Sequence, residues 1–238
     1  MSFVEVSLSP ALFPLVPKRD YAVVVIDVLR ATSAICAAFN AGADGIIPVA
    51  DLEKALQLKQ YGFVLAAERD GLKVADADFG NSPMVFLKED LEGKIIVYST
   101  TNGTAAIEDA KVYSPLVLGS FNNFSRVVGF LESGNKDVLL YCSGWKNAIG
   151  IEDVLLAGAI ADQLVISGNY TSASDSSNAA IALWQEARGN LAETVLASDH
   201  GKRLLALGLE EDIQYCLKND TSNALPWWNG EMIVNAKG

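Results

Sequence analysis

At 238 residues, half of them hydrophobic, the chain is long enough to bury a substantial core as one α/β unit or as two closely packed lobes. With 18 Lys and Arg against 29 Asp and Glu, the formal charge is −11, which argues against nonspecific binding to nucleic acid or to an anionic membrane surface. Three widely separated cysteines, Cys36, Cys142 and Cys216, exclude a disulfide framework or a CxxC-type zinc site, and a single histidine excludes a His-rich metal centre.

Residues 1–5 show no basic segment followed by an apolar core, and Asp27 and Arg30 interrupt the most apolar early region. Neither a leader nor a spanning helix is expected, and a cytoplasmic location is. Five short apolar runs then punctuate the chain at residues 23–26, 63–67, 95–98, 117–119 and 138–141. Each stops at a cluster of small polar or charged residues and leads toward a helix-forming stretch. That grammar predicts a three-layer α/β/α fold with a largely parallel or mixed central sheet, built as a single domain over residues 1–238, with a two-lobed arrangement as the variant. Ligands of such sheets bind outside the carboxyl ends of the strands.

Further elements follow in order. Residues 31–40 read as a helix, 45–49 as a strand, and Asp51 as the N-cap of a helix over 52–60. Residues 70–83 are too polar and glycine-bearing for a core element and read as a long loop, either functional or mobile. A helix is predicted at 151–161, a strand at 163–167, a loop at 169–177 and a helix at 178–188 capped from 175–177. The last third, at 191–207 and 212–218, reads as mostly helical. Pro226, Trp227 and Trp228 are expected to anchor the tail on the body or in an oligomer interface, which makes a homodimer a candidate assembly.

The side chains able to do chemistry gather at the strand ends. Asp27, Glu68, Asp78, Glu152 and Asp153 are hard oxygen donors of the kind Mg²⁺ accepts, and each competes with an ordinary reading as a helix cap or surface ion pair. Ser99 to Thr104, with Gly103 before a helix, reads as an anion nest at a helix N-terminus, or as a capped Asn-Gly turn. The chain holds neither GxxxxGK[ST] nor GxGxxG, and Ser143-Gly144 makes no GxSxG elbow. Arg30, Arg69 and Lys146 fall near strand ends and suit recognition of a small anion. Arg30 opens a helix, where the dipole prefers an acid, and this points to function. His200, near Lys202 and Arg203, reads as a partly exposed helix residue, with a general-acid role as the alternative.

Six segments together carry a resemblance: Asp27-Val28-Leu29-Arg30-Ala31-Thr32, Glu68-Arg69, Asp78-Phe79-Gly80-Asn81-Ser82-Pro83, Thr100-Thr101-Asn102-Gly103-Thr104, Cys142-Ser143-Gly144 and Glu152-Asp153. In order and approximate spacing they resemble the 2-phosphosulfolactate phosphatase family over nearly the whole chain. The resemblance implies a Mg²⁺-dependent phosphatase that hydrolyses (R)-2-phospho-3-sulfolactate to 3-sulfolactate and phosphate, a step toward coenzyme M. It makes Asp27, Arg30, Glu68 and Cys142 catalytic candidates, although the CxxxxxR pattern of a phosphocysteine mechanism is absent. Thr32, Arg69, Asn81, Ser82, Thr100, Thr101, Asn102, Gly103, Thr104, Ser143 and Gly144, with Arg30, become substrate-binding candidates, Arg30 and Arg69 as the clamp on sulfonate and carboxylate. Ala67 departs from the family's usual glycine, a methyl that would narrow the pocket or change nothing. Metal-assisted attack of water is the expected mechanism. An aspartyl phosphate at Asp27 is the covalent alternative, without the DxD pattern because residue 29 is Leu. Two further readings stay open: a phosphatase for another 2-hydroxy acid phosphate ester, and a protein that binds a small anion without turning it over.

Overall fold

The computed structural model describes residues 1–236. In chain order the elements are β1 (Ser2–Ser7), β2 (Tyr21–Ile26), α1 (Ala31–Asn40), β3 (Gly45–Pro48), α2 (Leu52–Gln60), β4 (Val64–Arg69), β5 (Leu72–Lys73), α3 (Pro83–Phe86), β6 (Ile95–Ser99), α4 (Gly103–Ala110), β7 (Leu116–Gly119), α5 (Phe124–Gly134), β8 (Asp137–Cys142), α6 (Ile151–Ile166), β9 (Tyr170–Ser172), α7 (Asp175–Ala187), α8 (Leu191–Ala197), α9 (Asp199–Ala206), α10 (Glu210–Cys216), β10 (Pro226–Trp228) and β11 (Ile233–Asn235). All five apolar runs are strands, and the α/β class expected from them is the class observed.

The strands make one 11-stranded mixed sheet in the order β5-β4-β6-β3-β11-β10-β7-β2-β8-β1-β9. Parallel pairing joins β4, β6 and β3 in one block and β7, β2, β8, β1 and β9 in another. Between them sits the hairpin β10–β11, antiparallel to both neighbours through single residue pairs, Trp227 with Val117 and Ile233 with Ile46. The steps β3-β11-β10-β7 are all antiparallel.

Alternation along each strand divides the core. Ala22, Val24 and Ile26 of β2 and Val138, Leu140 and Cys142 of β8 face one cluster, which includes Val127 of α5 and Leu155, Leu156 and Ile160 of α6. Val23 and Val25, with Leu139 and Tyr141, face a second cluster, with Ala34 and Ile35 of α1 and Ala106 and Ile107 of α4. Strands buried on both faces read as unbroken apolar runs, which is why they were legible. In the other block, Leu65 and Ala67 of β4 and Val97 of β6 pack under Ala55 of α2, whereas Ala66, Ile96 and Tyr98 face α1 and α4. Helix α4 touches both β2 and β3 and so lies between the two blocks. Deep in the second block α6 packs on α7 at Gly158, where a Cβ would sit 2.1 Å from the Ala180 carbonyl oxygen; only glycine permits that crossing.

Several expectations are corrected. The apolar period of α6 runs on to Ile166, so 163–167 is helix rather than strand, and the sheet gains β9 inside the expected loop instead. Helix α7 starts at Asp175 and is capped by Ser174, whose hydroxyl accepts from the Ser177 N–H at 3.3 Å. Residues 70–83 form no free loop: β5 pairs back on β4, Phe79 bridges to Ala66, and Ser82 caps α3. The Asp51 cap is as expected, accepting from Glu53 N at 2.9 Å and Lys54 N at 3.3 Å, a contribution of about 1 kcal/mol. Trp227 and Trp228 lie inside the sheet, half-buried, Trp227 edge-on to Phe130 and Trp228 under the Lys111 ammonium, so this pair no longer carries the homodimer expectation. Among the described residues no helix is long and apolar enough to cross a membrane.

Candidate active site

Residues at the carboxyl ends of strands from both parallel blocks, Asp27 after β2, Glu68 in β4 and Thr100 to Asn102 after β6, line one cleft. Asp27 leaves β2 and turns directly into α1: its Oδ1 accepts from Ala31 N at 3.2 Å, and its carbonyl accepts from the Thr32 amide at 3.0 Å and the Thr32 hydroxyl at 2.8 Å. Thr32 is therefore a turn-fixing residue, fully buried, and does not line the cleft. No donor among the described residues reaches Asp27 Oδ2. Burial raises the Asp27 pKa to about 6; the Ala31 amide and His200 pull it down, while Glu152 and Glu68 push it up.

Glu68, near the end of β4, also lines the cleft. Its Oε1 accepts from the Gly71 amide and lies 3.5 Å from the Thr101 hydroxyl. Thr100 and Thr104 brace the next turn: each amide donates to the other's hydroxyl, at 3.2 and 3.3 Å, and the Thr104 hydroxyl donates to the Thr100 carbonyl at 2.8 Å. The amides of Thr101, Asn102 and Gly103 are left without acceptors among the described residues, at the N-terminus of α4. Free amides at a helix N-terminus are what the anion-nest reading of this segment requires. Asn102 does not cap α4; its Oδ1 accepts from Lys146 N at 3.2 Å. Gly103 is required here, because a Cβ would lie 2.6 Å from Asp27 Oδ2 and 2.5 Å from Ala31 Cβ.

Behind Asp27, Asp153 has both oxygens engaged: Oδ1 accepts from Val28 N at 2.8 Å, and Oδ2 from Gly144 N at 2.9 Å and the Ser143 hydroxyl at 3.3 Å. Ser143 and Gly144 thus tie the β8–α6 connection to Asp153 rather than facing the cleft. Burial, with Glu152 and Asp27 adding to it, holds the Asp153 carboxyl well above the usual range. Glu152 Oε1 lies 2.6 Å from His200 Nδ1, and its Oε2 is buried with no partner among the described residues.

Other expected residues stand elsewhere. Asp78 pairs with Lys59 at 2.7 Å on the exposed side of β4 and accepts from Leu65 N, which together hold its pKa below the usual value despite partial burial; it is outside the cleft. Arg69 points to the α2 side, where its guanidinium donates to the carbonyls of Glu68, Ala50 and Ser99 and to the Ser99 hydroxyl, so it has no free face for a substrate. Arg30 does line the cleft, but it is 3% exposed and held in a buried ion pair with Asp212 and by Gly71 O at 3.0 Å. Ser82 donates to the other Asp212 oxygen at 2.6 Å, and Asn81, which does line the cleft, accepts from the Tyr98 hydroxyl. Cys142 is fully buried in the core, and burial beside Asp153 and Glu152 raises its thiol well above the ordinary value, which leaves it no nucleophilic thiolate. The Ala67 methyl faces α2, away from the cleft.

Asp212, Trp145, His200 and Arg203 were not predicted as site residues, yet Asp212 anchors Arg30 and the other three line the cleft. Spacing carried a signal for two of them: His200 and Arg203 are three apart on α9 and share a face.

The model of the 2-phosphosulpholactate phosphatase family matches residues 8–231. The chain belongs to that family. The matched span contains every residue that lines the cleft, from Asp27 to Leu204. A probable 2-phosphosulfolactate phosphatase of Thermotoga maritima is 39% identical over 213 residues, covering 90% of this chain and 91% of the relative. Proteins of the same description from Carboxydothermus hydrogenoformans and Clostridium acetobutylicum are 39% and 33% identical, covering 87% and 90% of the chain and 86% and 93% of the relatives.

A member of this phosphatase family with two carboxylates in its cleft raises the question of a cation. Among the described residues no three His, Cys, Asp or Glu side chains are arranged as a metal cage. Mg²⁺ needs no cage; it keeps several waters and takes one or two carboxylates together with substrate phosphate. Asp27 and Glu68 fit that role. Each has an oxygen without a donor among the described residues, the Glu68 charge helps raise the Asp27 pKa, and Gly103 leaves room beside Asp27 that a methyl would fill.

Proposed function

We propose that the chain hydrolyses the phosphate monoester of 2-phospho-3-sulfolactate, releasing 3-sulfolactate and phosphate. The observation that carries this reading is that one cleft is lined both by Thr101 and Asn102, whose amides have no acceptor among the described residues, and by the buried Asp27 and Glu68 carboxylates. Amides alone would suit any small anion, but paired carboxylates repel one unless a cation intervenes. In this reading Asp27 and Glu68 hold Mg²⁺, which when bound supplies charge neutralisation between these carboxylates and the phosphoryl oxygens.

The chain's own groups do the remainder. The three amides and the α4 N-terminus bind the phosphoryl oxygens and accept the charge that grows on them during transfer. Water is the nucleophile. The leaving oxygen needs a proton, and in this reading His200, which lines the cleft with its Nδ1 held by Glu152, gives it from Nε2. Asp153 holds the Val28 and Gly144 amides and so keeps the β2–α1 and β8–α6 turns in place.

Phosphate release from 2-phospho-3-sulfolactate, phospholactate, phosphoglycolate and 3-phosphoglycerate, each with Mg²⁺ and with EDTA, tests the reading. Metal-dependent release preferring the sulfonated ester supports it. Preference for another ester moves the substrate to a different 2-hydroxy acid, and release unaffected by EDTA removes the metal.

A further inference from the structure

With Arg30 locked to Asp212 and Arg69 to backbone carbonyls, the non-reacting anionic end of a substrate needs other cations. The cleft mouth supplies them. Arg203 of α9 lines the cleft with its guanidinium 5.2 Å from the centre of the Trp145 ring, and the Lys146 ammonium lies 5.1 Å from the same ring. On Trp145 also stacks His200, with centroids 6.1 Å apart and planes 12° from parallel. Both cations converge on one oxygen: Asp70 Oδ1 is 3.4 Å from Lys146 Nζ and 3.9 Å from Arg203 Nη2. Asp70 is itself 70% exposed, and pairs so exposed contribute little and exchange readily. The Lys146 amide is bonded to Asn102 Oδ1, so this rim is tied directly to the amide nest.

We propose that Arg203 and Lys146, mounted on Trp145, form the clamp for the substrate's carboxylate or sulfonate, and that Asp70 Oδ1 marks the position which that anionic oxygen takes. The proposal rests on the phosphatase reading and deepens it: the cleft selects a small phosphate ester bearing a second anion two or three atoms from the phosphorylated oxygen. Arg203 acts by binding and Trp145 by positioning. Asp70 competes with the ligand for the same two cations.

The test compares kcat and KM for 2-phospho-3-sulfolactate, phospholactate and ethyl phosphate, which carry two, one and no additional anions. Arg203→Met keeps the apolar stem against Trp145 while removing the charge. It is expected to raise KM for the sulfonated ester by about tenfold to a hundredfold, the size of a lost charge-assisted hydrogen bond, with KM for ethyl phosphate unchanged. Arg203→Lys should recover part of the loss, and Asp70→Asn should lower KM for the sulfonated ester. An equal rise for all three esters, or a loss confined to kcat, overturns the proposal. Calorimetric titration of sulfoacetate separates this from failure of the phosphatase reading. If wild type hydrolyses no ester but binds sulfoacetate, and Arg203→Met does not, the clamp stands without the activity. Equal sulfoacetate affinity in both, or no binding to wild type, overturns the clamp.

Discussion

The inner wall of the cleft and its rim are built on opposite principles. Inside, Asp27 and Glu68 line the cleft and Glu152 and Asp153 lie behind it, all four buried and fixed by backbone amides or by His200, in surroundings where one charge changes the ionisation of the next. At the rim, Asp70, Lys146 and Arg203 are tethered by long, exposed pairs across one indole. Low effective dielectric makes the inner electrostatics strong and costly to rearrange, and solvent makes the outer pairs weak and exchangeable. The wall is suited to chemistry and the rim to selection.

The sharpest way to break that comparison is Asp27→Asn. On the proposed mechanism it lowers phosphate release by about a thousandfold or more while the fold persists, since the amide keeps the Ala31 bond and removes a buried charge. Circular dichroism and a phosphate assay check both halves. Next comes Asp212→Ala, which leaves the 3%-exposed Arg30 without its partner; a loss of about 3–5 kcal/mol is expected in urea unfolding, and a loss under 1 kcal/mol would show that Arg30 finds solvent or another acceptor. Gly103→Ala places a methyl 2.6 Å from Asp27 Oδ2, and a cost of about 1–3 kcal/mol with depressed turnover is expected from the forced shift.

A pH series sharpens the comparison further. The Asp27 pKa is raised from 3.8 to about 6, so between those values the folded chain binds the proton more tightly than the unfolded one. That contribution is fully present below pH 3.8 and is lost as pH rises through about 6. In EDTA, the stability of Asp27→Asn relative to wild type should therefore climb between pH 4 and pH 6.5 by about 2 kcal/mol and then level. A flat difference would mean that Asp27 titrates normally. The smallest effect is expected at Cys142→Ala, which should keep turnover within about twofold and cost roughly 1 kcal/mol of packing; loss of activity beyond about tenfold would return the thiol to the mechanism.

What could be read from the chain follows the same divide between local and distant causes. Strands buried on both faces announce themselves as apolar runs, and Asp51, the Thr100–Thr104 turn and Asp27 after β2 are local arrangements. Strand parity carries further information. Cys142 shares its face with Val138 and Leu140, which places it in the core, and Glu68 shares the face of Ala66, whereas Arg69 follows Leu65 and Ala67 toward α2. Long-range pairings left no such trace. Asp212 sits in an acidic helix start that reads as dipole compensation, yet it meets Arg30 from 182 residues away. His200 looked like a surface residue beside Lys202 and Arg203 until Glu152 and Trp145 closed over it. The hairpin that joins the two parallel blocks depends on single pairs to β3 and β7, which no local pattern encodes.

The most direct test of the central claim is phosphate release from 2-phospho-3-sulfolactate by wild type and Asp27→Asn, each with Mg²⁺ and with EDTA. Release by wild type that needs Mg²⁺ and vanishes in folded Asp27→Asn is the predicted result. Equal release by the two proteins, or release that EDTA leaves untouched, would contradict the assignment of the Asp27–Glu68 wall as the reacting centre.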